Sequence, residues 1–91
     1  MAVYLVTADF RPPGRNYERF YARLRAWGAI RALESVWFIE APDPAAALKD
    51  DLGKFVDADD GLIVVEITAK AELAVQTLRA DAADWLKQAH P

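Results

Sequence analysis

The sequence predicts one α+β domain, an antiparallel four-stranded sheet with two helices on one face and a C-terminal helical extension. Three observations predict it. Strand-like and helix-like apolar patterns follow one another in the order β-α-β-β-α-β. Hydrophobic residues make up 54% of the chain, which is ample for a packed core. The 91 residues suit a single domain spanning 1–91.

Residues 2–7 read as the first strand. Val3, Tyr4, Leu5 and Val6 are near-continuously apolar, as in a strand buried on both faces. Asp9 follows, and Arg11-Pro12-Pro13-Gly14 breaks the chain into a loop. Residues 15–27 read as a helix, because Tyr17, Phe20, Tyr21, Leu24 and Trp27 form one apolar stripe and Gly28 supplies a stop. Residues 29–40 read as a hairpin with arms at 30–33 and 36–40 and Glu34-Ser35 near the turn. The turn lacks Asn-Gly or Asp-Gly, so its register is not fixed by sequence.

Asp43-Pro44 reads as a helix start, with Asp43 capping and Pro44 in the first helical position. The second helix follows over 45–56, with Leu48, Leu52, Phe55 and Val56 as its stripe. Asp57-Ala58-Asp59-Asp60-Gly61 is a turn, and the apolar run at 62–67 reads as another buried strand. This order is the split βαβ of ferredoxin-like folds. Residues 70–76 read as a loop or short helix. Residues 80–89 read as a helix that docks on the exposed sheet face or on a second copy.

Composition narrows the chemistry. There is no cysteine, so disulfides and thiolate metal sites are excluded, in accord with a reducing cytoplasmic setting. The single histidine is His90. The net charge of −3 weighs against a dedicated nucleic-acid binder. No apolar run reaches the roughly 18 residues of a membrane span, and residues 1–4 lack the basic start of a signal peptide. Three Trp, three Tyr and four Phe are a large aromatic load for so small a chain, which points to a homodimer.

Asp9 is the first candidate. It either caps the loop, the commoner role for a loop aspartate, or offers a carboxylate to Mg²⁺, with a second copy bringing another. Arg11, Arg15, Arg19, Arg23, Arg25 and Arg31 hold six of the eleven cationic charges. Arg15, Arg19 and Arg23 share one helix face, either as a solvated stripe or as phosphate contacts. The 57–61 acidic segment lacks the glycine and distal glutamate of a calcium loop. No phosphate-binding glycine loop or nucleophile motif is present.

Three segments carry a family resemblance. The first is a short apolar strand ending in Asp, Val3-Tyr4-Leu5-Val6-Thr7-Ala8-Asp9-Phe10. The second is Gly28 followed seven residues later by Ser35-Val36-Trp37. The third is the acidic turn and strand Asp59-Asp60-Gly61-Leu62-Ile63-Val64-Val65. Together these resemble the CRISPR-associated protein two family, and more closely its SinR-like relatives in the VapD-type superfamily, over residues 1–67. The resemblance implies a ferredoxin-like homodimer in which the strand-end aspartates of the two copies meet. It implies Asp9 as catalytic residue and Mg²⁺ ligand, Arg15 and Arg31 as nucleic-acid contacts, and Ser35 and Trp37 near the dimer interface. Two activities follow as alternatives: a metal-dependent endoribonuclease or DNase of weak or lost activity, or a non-catalytic dimeric scaffold or protein-interaction module. A small-ligand-binding domain is a third. The chain departs from the family in having Ala8 before the aspartate, Leu33 in place of a hairpin glutamine, an acidic balance, and a helical C-terminal portion.

Overall fold

A computed structural model of the chain describes residues 1–10, 17–77 and 79–89. The elements are β1 (Ala2–Asp9), α1 (Glu18–Ala26), β2 (Ile30–Leu33), β3 (Val36–Ala41), α2 (Ala45–Gly53), β4 (Gly61–Ile67) and α3 (Ala80–Ala89). The loop expected at 11–14 and the candidate Arg15 lie outside the described residues, as does His90.

The strands form one four-stranded sheet in the order β2-β3-β1-β4, and every neighbouring pair is antiparallel. The connection through α1 skips over β3, and the connection through α2 skips over β1. β1 is therefore central, as its unbroken apolar run predicts, with Val3 and Val6 fully buried.

Strand alternation sorts the side chains into two cores. Tyr4, Val6, Ala8, Trp37, Ile39 and Ala41 face one side, where Phe20 and Leu24 of α1 and Leu48 and Leu52 of α2 cover them. Val3, Ala32, Phe38 and Ile67 face the other side, where Ala82 and Leu86 of α3 pack. Two helices thus share one face, and α3 docks on the opposite face, over β2 and β3. Each large apolar side chain buried in this way stabilises the fold by about 1.5–3 kcal/mol. No helix among the described residues is long and apolar enough to cross a membrane.

α1 ends as its glycine predicts. Gly28 has φ 76°, and its N–H donates to Arg25 while Ala29 N–H donates to Leu24, a Schellman closure. The start of α2 differs from expectation. The N-cap is Pro44, in extended geometry, with no side-chain cap, and Ala47 and Leu48 N–H donate to its carbonyl. Asp43 serves instead through its own carbonyl, which accepts the Tyr4 hydroxyl at 2.6 Å. Burial, with Glu66 and Asp43 nearby, raises the Tyr4 pKa.

β4 also differs. The apolar run at 62–67 predicts a strand buried on both faces, but β4 is an edge strand, with Ile63 57% and Val65 49% exposed. α3 lies over the β2–β3 half of its face and leaves the β4 half uncovered. The opposite edge, β2, is only Ile30–Leu33, and its register slips between Arg31 and Leu33. Thr77 ties α3 to that edge, its hydroxyl donating to the Ala32 carbonyl at 2.6 Å and accepting from Arg79 N–H at 3.1 Å.

Candidate functional site

β1 carries Asp9 to one end of the sheet, where the carboxylate is exposed. Gly61 stands opposite it in β4, where a Cβ would come to 3.4 Å from the Asp9 Cβ, about van der Waals contact. Ser35, at the β2–β3 turn, reaches the same end. Its carbonyl accepts from the Thr7 hydroxyl at 2.8 Å and from Ala8 N–H at 3.3 Å.

Arg31 belongs to this end as well, but its guanidinium is engaged. It lies 5.4 Å from the Tyr21 ring centre and 5.1 Å from that of Trp37. It also donates to the Glu34 carbonyl through both Nε and a terminal nitrogen. Trp37 itself is 4% exposed and packs edge-on against Phe20, which places its ring in the core. Phe10 stacks on Tyr17 with ring centres 3.8 Å apart and meets Phe20 edge-on. The structure therefore brings Arg31 over Trp37 on the α1–α2 face, with Ser35 at the adjoining turn, whereas strand alternation sets Asp9 on the α3 side of the sheet, so the four candidates do not share one face.

The acidic segment after α2 is a turn held by its own carboxylates. Asp57 N–H donates to one Asp60 carboxylate oxygen at 2.7 Å, and the Tyr17 hydroxyl donates to the other at 3.0 Å. Ala58 N–H donates to the Asp57 carboxylate. Among the described residues no group of three or more His, Asp or Glu side chains converges as a metal site.

The arginine stripe of α1 is also spoken for in part. Arg23 makes a forked pair with Asp51 of α2, at 2.7 and 3.0 Å, and the Trp27 indole donates to the same carboxylate at 2.9 Å. The Arg23 hydrogen bond holds the Asp51 carboxyl below its ordinary pKa, against the opposing effect of burial, and the same bond raises Arg23. Arg19 lies over the Phe55 ring. This network binds the two helices to each other.

The surface that sequence reasoning missed is on the α3 face. Exposed Ile63 and Val65 of β4 stand beside half-buried Leu5 of β1, and Leu73 and Val75 of the following segment are exposed too. Between that segment and α3 runs a groove of about 400 Å³ lined by Leu73, Val75, Ala83, Leu86 and Lys87. Its sequence signal is the alternation of Leu73 and Val75 with Glu72, Ala74 and Gln76.

Compared with family models, curated proteins and solved structures, the chain matches none.

Proposed function

We propose that the chain is a ferredoxin-like homodimer of the CRISPR-associated two and SinR-like type, acting in the cytoplasm as a non-catalytic scaffold or protein-interaction module. The antiparallel order β2-β3-β1-β4, with α1 and α2 on one face, supports the fold part of this reading. The single observation that carries the functional part is the uncovered apolar surface of β4, where Ile63 and Val65 are about half exposed. Small monomers rarely leave adjoining large apolar side chains in water on one strand face, and such patches mark contact sites.

Light scattering on the wild type is expected to give the mass of a dimer, and Val65→Lys is expected to give a monomer with an unchanged far-ultraviolet spectrum. The substitution is at an exposed position, so its effect on folding stays within about 0.5 kcal/mol. A monomeric wild type would remove the reading.

A second reading, metal-dependent cleavage of RNA or DNA, is favoured by the exposed Asp9 at the β1 tip. In it Asp9 would be the residue to hold Mg²⁺, which would supply charge stabilisation to a phosphodiester, and Arg15 and Arg31 would contact phosphates. Cleavage by the wild type that disappears in Asp9→Ala supports it. Equal activity in both, or none in either, disposes of it.

A further inference from the structure

The two edges of the sheet are built differently. β2 is short, irregular in register, charged at Arg31, and roofed by α3 through the Thr77 bond to the Ala32 carbonyl. These are the ordinary devices that stop an edge from accepting another strand. Of these devices β4 carries only a single charge among the described residues. It runs straight from Gly61 to Ile67, paired in continuous register with β1, with no proline and with Glu66 as its only charge. Its outer side is a row of backbone donors and acceptors flanked by exposed Ile63 and Val65.

We propose that β4 of one molecule pairs antiparallel with β4 of a second copy, edge to edge, so that two sheets become one continuous sheet. The inference rests on the homodimer part of that reading alone and replaces the aspartate-to-aspartate arrangement that the resemblance implies with an edge-paired one. A twofold axis at Val64 makes the strand self-complementary. Ile63 then stands opposite the second copy's Val65, and the second copy's Ile63 opposite Val65, so each exposed apolar side chain gains an apolar cross-strand neighbour on its outer flank. The same register carries Lys70, just past the end of β4, onto the turn that holds Asp57, Asp59 and Asp60 of the other copy. The charges at the two ends of the strand are therefore complementary, twice over, in the antiparallel sense only.

This geometry keeps the two Asp9 carboxylates apart. Asp9 is level with Gly61, and the second copy's Asp9 is level with Ile67. With three strand spacings between them, the separation comes to about 25 Å. An edge-paired dimer therefore does not share one cation between its aspartates.

The absence of cysteine makes a single introduced thiol a clean reporter. Val64→Cys on the twofold axis is expected to oxidise to a covalent dimer that reductant reverses, because opposed residues there lie within disulfide reach. Leu33→Cys, exposed on the β2 edge, is expected to stay monomeric in the same oxidant. Covalent dimer from both alike overturns the proposal as random collision. A dimer by light scattering with no covalent product from Val64→Cys overturns the edge geometry and leaves the homodimer reading standing. A monomer by light scattering overturns both. Should Val64→Cys fail to fold, hydrogen exchange on the unaltered chain decides. Outward β4 amides are expected to exchange more slowly as protein concentration rises, and concentration-independent exchange overturns the proposal.

Discussion

Phe20→Ala is expected to destabilise the domain by about 3–5 kcal/mol. Phe20 is fully buried, between the sheet and α1, and its ring meets Phe10, Tyr21 and Trp37 at centre distances of 5.4, 6.0 and 5.7 Å. Truncation removes the transfer free energy of the ring and leaves a void that neighbouring aromatic rings, being rigid, fill poorly. Domains of this size are stable by only about 5–15 kcal/mol, so the variant sits near the threshold of folding. Its thermal midpoint is expected to fall by more than about 10 °C. Urea denaturation followed by tryptophan fluorescence measures the loss directly. A loss under about 1 kcal/mol would mean that the aromatic cluster is not packed as described.

The second large effect is at the α1–α2 junction. Asp51→Ala removes the acceptor of three hydrogen bonds, from the Arg23 fork and the Trp27 indole. The expected cost is about 1–2 kcal/mol at neutral pH, limited because Arg23 is partly in water and recovers solvent bonds. The effect carries a pH signature. Asp51 has a folded pKa below its unfolded value, so it binds protons more readily in the unfolded chain. Its contribution is complete above the ordinary carboxylate pKa of about 4 and is lost as pH falls through the lower folded value. The difference between wild type and Asp51→Ala is therefore expected to shrink as the solution is acidified. A gap that stays constant down to the acid limit would show that the carboxylate's charge plays no part in joining the helices.

Much of this architecture is legible in the residues, and the exceptions have physical reasons. The α1 stripe, the Gly28 stop, the hairpin arms and the 80–89 helix are local patterns, and local patterns survive folding. The place of β4 is not legible locally, because a run such as Leu62-Ile63-Val64-Val65 looks the same at the centre of a sheet and at its edge. What separates the cases is the strand order, which leaves β4 at the edge, together with the docking of α3 through Ala82 and Leu86 on Ala32 and Phe38, contacts far apart in sequence. The arginine stripe has a similar history. Spacing places Arg19 and Arg23 on one face, but only the fold brings Asp51 to Arg23 and Phe55 to Arg19. At the start of α2 the cap position falls to Pro44, one residue later than the Asp43-Pro44 signature places it, and what Asp43 contributes is its backbone carbonyl, which accepts the buried Tyr4 hydroxyl. At the candidate site, Asp9 at a strand tip could be read from the Ala8-Asp9-Phe10 transition, whereas the stacking of Arg31 over Tyr21 and Trp37 could not.

The central place of β1 sets the order in which the chain must assemble. Both of its flanking partners are synthesised after it, β3 beginning at Val36 and β4 ending at Ile67. On the ribosome the β2–β3 hairpin can close early, yet the first strand keeps one bare flank until β4 has emerged as far as Ile67. Nascent chains stalled short of Ile67 thus present an apolar ribbon to solvent, and the domain is expected to become protease-resistant in a late, concerted step rather than by gradual accretion.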